Sequence, residues 1–420
     1  MTVNATLPPL HLPSTVPPFQ YGRSLPRVFY TDDAVHAADV SMLGATQWIL
    51  VDHVNRLRRA GDYFLFDFGH ESLIFIRDQN NEIHGLFNVC RHRGSRICLE
   101  AQGRVQSLIC PYHAWNYGLD GRLRAASAMP GGFDKNTHGL ESAHVRVHAG
   151  LIFVNLAHGT PPDFQRFIGR LTPYLDLHGF DHATVAVRRS YPTSANWKLV
   201  VENFLECYHC KPAHRTYCSV HSPEKLLAFG AGPGSSGGAL ASNYQRELDE
   251  WQGAGAAKGY FTEMFSDCPD SEWFQTGSRL PIGQGYDTEV VGGRAVAPLM
   301  GSFKEYDGAQ TAIVFNPLSY IMASNDYAAL IRFTPRGPVA SDVETTWLVR
   351  EDAVAGTDYD VQRLTEVWDV TLREDKIITE NNQLGVSSAR YRPGPHSLHE
   401  ARVSDFLAWY NLRLPRAGTQ

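Results

Sequence analysis

Hydrophobic and polar residues follow two β-type patterns along the chain. Between about residues 62 and 156, runs rich in β-branched and aromatic residues are separated by Gly, Asn and Asp, which predicts a small antiparallel β domain. These runs are YFLFDF, SLIFIRD, IHGLFNVC, SLICPYHAW and GLIFVNL. A later group, TAIVFN, YIMAS, YAALIRFTP and ETTWLVRED, predicts an antiparallel meander. The expected fold class is therefore α+β.

Helical periodicity frames these β-rich regions. DDAVHAADVSMLGATQWILV begins with an aspartate pair that can cap a helix, and SANWKLVVENFLECYH begins with Ser194 or Asn196 as its cap. PPDFQRFIGRLTPYLDL predicts another helix, and YDVQRLTEVWDVTLREDKIITENNQ predicts a long amphipathic helix that closes the fold. Residues 228–257 are rich in Gly, Ala and Ser, and we expect a long loop there.

These changes of pattern divide the chain into three parts. We predict an N-terminal arm and helix over residues 1–44, a small β domain over residues 45–160 and a larger domain over residues 161–420. With 420 residues, of which 43% are apolar and 20% charged, the composition is that of an ordinary globular protein.

Charge and cysteine content narrow the classes of partner. A net charge of -6 provides no broad positive field, so we expect neither a nucleic acid nor a membrane surface as partner. No apolar run is as long as a transmembrane helix, which needs about 18 residues. The N-terminus also lacks the pattern of a signal peptide. We therefore expect a cytoplasmic protein whose seven cysteines are reduced, some of them acting as metal ligands.

Two short motifs in the β domain carry candidate metal ligands. CRHRG contains Cys90 and His92, and CPYHAW contains Cys110 and His113. Two thiolates and two imidazoles suit a zinc ion, or a [2Fe–2S] cluster with both cysteines on one iron and both histidines on the other. The order C-x-H…C-x-x-H is unusual for zinc modules, which more often contain C-x₂-C pairs, and it gives each iron a matching pair of ligands.

CRHRG…CPYHAW resembles the Rieske motif. Gly94 and Gly118 would allow tight turns around a cluster, while Tyr112 and Trp115 would shield it from water, with Trp115 also packing against a histidine ligand. Imidazole ligands raise the potential of such a cluster to roughly −150 to +300 mV, so it would relay single electrons.

A second constellation lies in NFLECYHCKPAH. His209 and His214 are five residues apart, and Glu206 precedes the first of them by three. Positions five apart on an ideal helix diverge by about 140°, so we expect the helix to open near Lys211-Pro212 to bring both imidazoles to one ion. Two histidines and one carboxylate would complete the facial triad that leaves open positions on Fe(II).

The third ligand must come from elsewhere in the chain. Asp375, in REDKIITENNQ, is our prediction, because this region resembles the segment of Rieske-type oxygenases that carries the acidic ligand; Glu374 is the alternative. Cys207 and Cys210 form a C-x-x-C pair, but we interpret both as small buried apolar residues because the histidines are better ligands here.

From about residue 27 onward the chain resembles the α subunit of a Rieske non-haem iron oxygenase. The resemblance implies a small antiparallel β Rieske domain ahead of a catalytic domain with an antiparallel sheet wrapped by helices. It also implies a [2Fe–2S] cluster, a mononuclear Fe(II), O₂ as co-substrate, a separate NAD(P)H-dependent reductase and a homotrimer. In that trimer the cluster of one subunit faces the iron of its neighbour. Glu206 would bridge His113 to His209 across that interface, and Asn203 would lie near the iron.

Glu206 also points to a branch of the family, since ring-hydroxylating members generally carry Asp there. ANWKLVVENFLECYHCKPAH resembles the branch that oxidises quaternary ammonium compounds such as glycine betaine, choline, carnitine and proline betaine. The expected reaction is monooxygenation leading to N-demethylation with formaldehyde release. The same machinery acting on an aromatic or heterocyclic substrate is the alternative. A Rieske electron carrier or a zinc-stabilised binding protein is a third.

Overall fold

The computed structural model describes residues 10, 16–228, 239–283 and 285–414. They divide into two compact units, one formed by residues 43–164 and the other by the preceding segment together with residues 165–414. Both units contain antiparallel sheets, and the second also contains long helices, so the predicted α+β class is confirmed. None of the helices in the described part of the chain combines the length and hydropathy needed to cross a bilayer.

The first unit contains three small antiparallel sheets, ordered β1-β10-β9, β4-β3-β2-β5 and β6-β7-β8. Its strands are β1 Ile49–His53, β2 Asp62–Phe68, β3 Glu71–Arg77, β4 Ile83–Phe87, β5 Gln102–Arg104, β6 Leu108–Ile109, β7 Asn116–Tyr117, β8 Leu123–Ala125, β9 His144–His148 and β10 Leu151–Asn155. The apolar runs of the sequence form these strands and bury a core that includes Ile74, Leu86 and Trp115. The same core holds Cys90 and Cys110, so both predicted sulfur ligands are anchored in it.

The second unit is built on one antiparallel sheet of seven strands, ordered β11-β17-β16-β15-β14-β13-β12. The strands are β11 Ala183–Thr193, β12 Phe265–Ser266, β13 Thr276–Pro281, β14 Ala309–Asn316, β15 Ser319–Ala323, β16 Ala328–Gly337 and β17 Ala340–Arg350. The predicted meander is therefore β14 to β17. Strands β14, β15 and β16 are almost entirely buried, as expected for strands covered on both faces.

Helices flank these strands, and three of them begin with the caps that their sequences offer. They are α1 Val28–Thr31, α2 Asp33–Thr46, α3 Phe164–Gly169, α4 Thr172–His178, α5 Trp197–Phe204, α6 Cys210–Ala213, α7 Arg215–Val220, α8 Pro223–Ala228, α9 Ala239–Ala257, α10 Val361–Ser387 and α11 Ala401–Arg413. The carboxylate of Asp32 caps α2, the amide of Asn196 caps α5 and the carboxylate of Asp360 caps α10.

Three sequence predictions about helices and loops were wrong. Of the loop expected over residues 228–257, the part from 239 onward is the helix α9, because Tyr244 and Leu248, four residues apart, provide a buried stripe; residues 229–238 lie outside the described residues. The helix expected in PPDFQRFIGRLTPYLDL is two helices, α3 and α4, separated after Gly169. The long helix α10 does not close the fold, because α11 follows it.

Candidate functional site

Three predicted ligands of the second unit converge on one point. The Nε2 atoms of His209 and His214 lie 3.1 Å apart, and Asp375 Oδ1 lies 2.9 Å from His214 Nε2 and 3.4 Å from His209 Nε2. Metal bonds of about 2.1 Å at right angles place ligand atoms about 3.0 Å apart, which is the spacing a facial triad requires. The three donor atoms are therefore arranged to bind one ion on a common face.

The chain brings the two histidines together by ending α5 early. The helix stops at Phe204, before both histidines, and the short helix α6 begins at Cys210. Between them the Glu206 carboxylate accepts hydrogen bonds from the backbone N–H groups of Tyr208 and His209, which fixes the turn.

The opening expected near Lys211-Pro212 was therefore placed too late in the chain. Pro212 is the third residue of α6, a position where its missing N–H is not needed by the helix. The turn held by the Glu206 carboxylate, rather than the proline, allows the two imidazoles to point at one site.

Each histidine of this group has a second carboxylate on its other ring nitrogen. Glu206 Oε1 lies 2.5 Å from His209 Nδ1, and Glu374 Oε2 lies 2.9 Å from His214 Nδ1. Such contacts leave Nε2 of both rings free to bind a metal. Because Glu374 occupies the opposite nitrogen from Asp375, the geometry favours Asp375 over Glu374 as the third ligand.

Protonation of the group follows from these contacts. Burial acts to raise the pKa of Asp375, but hydrogen bonds from both imidazoles hold that pKa below its ordinary value. Burial acts to lower the pKa of His209, and Asp375 and Glu206 together raise it to about 9. Protons and a metal ion therefore compete for the same nitrogen atoms.

A cavity opens beside the three ligands. Its volume is about 30 Å³, so a molecule larger than water enters only if lining side chains move. Three aromatic rings line it, those of Phe204, Tyr217 and Trp368, and its lining contains no Lys or Arg. Asn203 is also part of the lining, with its amide nitrogen 3.3 Å from His209 Nε2.

The two motifs of the first unit form loops with the same backbone hydrogen bonds. In one, the Cys90 N–H donates to Ser95 and the Gly94 N–H donates back to Cys90. In the other, Cys110 and Trp115 are paired in the same way, and the N–H of the fourth residue after Cys110 returns to its carbonyl. The two loops are thus copies of one turn, each presenting one thiol and one imidazole.

Positive φ angles close both turns, but not at both expected glycines. Gly94 has φ +77°, as predicted, whereas the corresponding residue of the second loop is Ala114, with φ +56°. Gly118 does not close the Cys110 turn; it begins a separate tight turn, in which the Gly121 N–H donates to the Gly118 carbonyl. A Cβ at Gly118 would instead lie 2.4 Å from the Asp120 carboxylate and 2.7 Å from Arg124 Nε.

The sulfur and nitrogen donors of these loops lie in different surroundings. Cys90 and Cys110 are 3% and 2% exposed, whereas the imidazoles of His92 and His113 are exposed, with their Nδ1 atoms 3.2 Å apart. Burial raises the pKa of the Cys90 thiol, and the adjacent Cys110 thiol raises it further. The loops therefore place a sulfur pair inside and a nitrogen pair outside.

Aromatic side chains pack against this arrangement. Trp115 is buried and stacks on the ring of His92, with centroids 4.9 Å apart, as expected from the sequence. Tyr112 is 54% exposed, so the expectation that it shields the site was only partly right, although its ring does lie against His113. The Tyr117 hydroxyl, which the sequence did not single out, lies 3.2 Å from Cys90 Sγ.

The spacing of these donors disfavours a zinc ion. Ligands of one tetrahedral zinc, at about 2.0–2.3 Å from the metal, would all lie within about 4 Å of one another. Within the described parts of the chain, no three donors among the two cysteines and two histidines come within 4.8 Å of each other. A sulfur pair and a nitrogen pair set apart in this way fit two irons better than one ion.

Comparisons with known families agree with both sites. A model of the Rieske [2Fe-2S] domain matches residues 47–142, and a model of the ring hydroxylating alpha subunit (catalytic domain) matches residues 180–416. The second match covers more than half of the chain. The chain belongs to the Rieske oxygenases. Its cofactors are a Rieske [2Fe–2S] cluster and a mononuclear iron, as the sequence predicted.

The relatives of this oxygenase include one that covers nearly its whole length and one that covers about half of it. It is 34% identical over 402 residues to the glycine betaine monooxygenase oxygenase subunit of Chromohalobacter salexigens, covering 93% of this chain and 86% of that protein. It is 34% identical over 197 residues to the carnitine monooxygenase oxygenase subunit of Acinetobacter pittii, covering 46% and 52%. It shares its fold with the quaternary ammonium Rieske monooxygenase CntA, with a TM-score of 0.70 and 20% identity over 94% of this chain and 96% of that one.

One cysteine prediction for the oxygenase was wrong. Cys207 and Cys210 are buried, as predicted, but they are joined in a disulfide rather than being reduced apolar residues. The turn that carries Glu206 and His209 holds the two Cα atoms 4.8 Å apart, within the range that a disulfide requires. Five cysteines remain free, at positions 90, 98, 110, 218 and 268.

The sequence did not single out some residues that complete the site of the oxygenase. Glu374 was weighed only as a ligand, although its role beside His214 follows once Asp375 is placed on the same helical turn. Trp368 lies seven residues before Asp375, two helical turns away on the same face of α10, so the periodicity contained its signal. Tyr217 lies on α7, whose bounds the sequence pattern did not indicate.

Proposed function

We propose that this oxygenase is the terminal component of a monooxygenase that hydroxylates a betaine-like quaternary ammonium substrate. The observation that carries the proposal is the cavity beside His209, His214 and Asp375, whose lining has three aromatic rings and no Lys or Arg. Aromatic faces attract a quaternary ammonium group, and a lining without Lys or Arg avoids repelling it. The near full-length similarity to a glycine betaine monooxygenase oxygenase subunit supports the same substrate class.

The roles of the individual residues follow from their geometry. His209, His214 and Asp375 would hold the mononuclear iron through Nε2, Nε2 and Oδ1. In the first unit, the cluster would be held by Cys90 and Cys110 through sulfur and by His92 and His113 through Nδ1. When bound, the cluster supplies single electrons at moderate potential and the iron activates O₂.

Neighbouring residues of the chain orient these ligands. Glu206 and Glu374 accept the Nδ1 protons and so fix the tautomers of the two histidines. Asn203 offers an amide beside His209 Nε2, where it contributes a polar group to the cavity. Phe204, Tyr217 and Trp368 form the aromatic part of the cavity wall.

The proposed reaction is N-demethylation. One oxygen atom of O₂ replaces a hydrogen of an N-methyl group as hydroxyl, and the other leaves as water with two protons and two electrons. The resulting hemiaminal breaks its C–N bond to give the demethylated amine and formaldehyde. The electrons would come from a separate NAD(P)H-dependent reductase. In a homotrimer of this cytoplasmic protein, Glu206 would link His113 of a neighbouring copy to His209.

A substrate panel with a reconstituted reductase tests this proposal. We expect O₂ consumption and stoichiometric formaldehyde with glycine betaine or carnitine, and neither with benzoate or anthranilate. Coupled hydroxylation of the aromatic acids, without formaldehyde, would establish the alternative substrate class instead. Glu206→Gln, with both metals retained, should slow reoxidation of the reduced cluster; an unchanged rate would contradict the bridging role.

A further inference from the structure

A fully buried carboxylate lies directly behind the aromatic wall of the cavity. Glu289 is 0% exposed, and its Oε2 atom accepts a hydrogen bond of 3.1 Å from the indole Nε1 of Trp368. Its Oε1 atom accepts from His221 Nε2 at 2.8 Å and from Gln310 Nε2 at 2.5 Å. Glu289 does not line the cavity, and its direct contact with the lining is the hydrogen bond to Trp368.

The side chains that contact the Glu289 carboxylate all present hydrogen-bond donors to it. Lys225 has only donors, and its Nζ atom lies 3.0 Å from His221 Nδ1 and 2.8 Å from Gln310 Oε1. It therefore fixes both partners so that His221 Nε2–H and Gln310 Nε2–H point at Glu289. The Trp368 indole is also a donor only, so three side chains donate hydrogen bonds to this carboxylate.

The network separates its two charges in a definite direction. His221 and Gln310 stand between the Lys225 ammonium and the Glu289 carboxylate, and Trp368 stands between that carboxylate and the cavity. Burial lowers the pKa of Lys225 to about 8, so the ammonium loses its proton at alkaline pH. The carboxylate is thus bonded directly to a residue of the cavity lining, whereas the ammonium is linked to the carboxylate through His221 and Gln310.

Two aromatic rings of the cavity feel this negative charge. An N–H donor bonded to a carboxylate makes the indole of Trp368 more electron-rich, and Trp is the strongest cation–π acceptor among the side chains. Burial raises the pKa of Tyr217 well above its ordinary value, and the charge of Glu289 raises it further. The Tyr217 and Trp368 rings lie 5.7 Å apart, edge to face, so they form one continuous wall.

We infer that Glu289 is a specificity-determining positioning residue, which acts through Trp368 to make the cavity prefer a cationic methylammonium group over an uncharged group of the same shape. This inference rests on the proposed function. It adds that the selection depends on a carboxylate that never touches the substrate.

Paired ligands that differ only in charge test it. Glycine betaine carries a trimethylammonium group, and 3,3-dimethylbutanoate carries a tert-butyl group of the same shape in its place. Dissociation constants for both are measured by calorimetry under anaerobic conditions with the metal-loaded protein. In Glu289→Gln, we expect the preference for glycine betaine over the isostere to fall about tenfold, mainly through weaker betaine binding. Trp368→Phe should lose part of the preference, which gives a second reading if Glu289→Gln folds poorly.

Asp307→Asn is the matched control, because it breaks the comparably buried Arg279–Asp307 pair, whose members do not line this cavity. It should leave the preference unchanged. Equal weakening of both ligands in Glu289→Gln, or an unchanged preference, would overturn the inference and leave the proposed function standing. A wild-type protein that does not distinguish the two ligands would contradict the proposed function itself.

Discussion

The two metal-binding regions of this oxygenase each contain two imidazoles, but different interactions hold those imidazoles in place. In the first unit, backbone hydrogen bonds of two matching turns orient the donors, the sulfurs are buried and the imidazoles are exposed. In the second, the imidazoles of His209 and His214 are held by carboxylates from two distant segments of the chain. An electron relay needs a rigid edge near the surface, whereas oxygen chemistry needs a cavity and controlled tautomers.

The largest predicted effect is the loss of the cluster site through substitution of one of its ligands. Cys110→Ser removes a buried sulfur ligand, so we expect loss of the visible absorption of the cluster and of substrate-dependent turnover. Cys98→Ser is the matched control, because Cys98 is buried in the same core outside both loops. It should keep the absorption spectrum, and bleaching in both variants would contradict the assignment.

The next effect concerns the carboxylates of the second site. Glu374→Gln replaces the anionic acceptor on His214 Nδ1 with a neutral amide, and mutation of such a partner of a metal ligand typically lowers metal affinity by about 10–100-fold. Fe(II) affinity measured by competition with a chelator checks this prediction. Glu366→Gln, on the same helix α10 and outside the cavity lining, should bind Fe(II) as the wild type does. Equal affinities of both variants would show that Glu374 does not orient the ligand.

A third prediction concerns a carboxylate of the second unit that accepts a hydrogen bond from a phenol. Burial raises the pKa of Glu202 from 4.5 to about 8, despite a hydrogen bond from the Tyr30 hydroxyl. The unfolded chain therefore releases this proton at lower pH than the folded one, and the contribution of Glu202 to stability falls as pH rises between these values.

Glu202→Gln should lack this loss. Relative to the wild type, we expect the variant to gain about 3–4 kcal/mol of unfolding free energy between about pH 5 and about pH 8. Urea denaturation at both pH values measures the difference. A difference between the two proteins that does not change with pH would contradict the buried, protonated state.

The smallest predicted effect comes from the backbone strain of the two turns of the cluster site. Gly94 and Ala114 occupy equivalent positions with positive φ, and a Cβ at Gly94 would meet nothing within 4 Å. Gly94→Ala should therefore cost about 1 kcal/mol of unfolding free energy through backbone strain, and Ala114→Gly should recover a similar amount. Thermal unfolding of the cluster-loaded protein measures both changes. Changes of the same sign would mean that the turns are not equivalent.

The sequence predicted most where the physical cause was local. Alternating apolar runs identified the strands, because each run had to bury one face or both, and the spacing within each Cys/His loop identified the cluster motif. Sequence reasoning failed where a tertiary contact decided the outcome. The end of α5 at Phe204 depends on the Glu206 turn, and the helix α9 depends on a buried stripe within a segment rich in Gly and Ala.

The aromatic wall and its buried carboxylate were the least predictable part of the site. Trp368 and Glu289 are 79 residues apart, and nothing in their local sequence links them. The pair exists because α10 and the segment between β13 and β14 bring a donor-only indole to a carboxylate that also accepts from His221 and Gln310. Only the folded arrangement reveals which of the many acidic residues stands behind the cavity.

Iron and acid-labile sulfide per chain, measured in the wild type and in Asp375→Ala, test the central claim most directly. We predict about three irons and two sulfides in the wild type, and about two irons with unchanged sulfide and visible spectrum in Asp375→Ala. Three irons retained in the variant, or a loss of sulfide together with iron, would contradict a lone ion held by His209, His214 and Asp375.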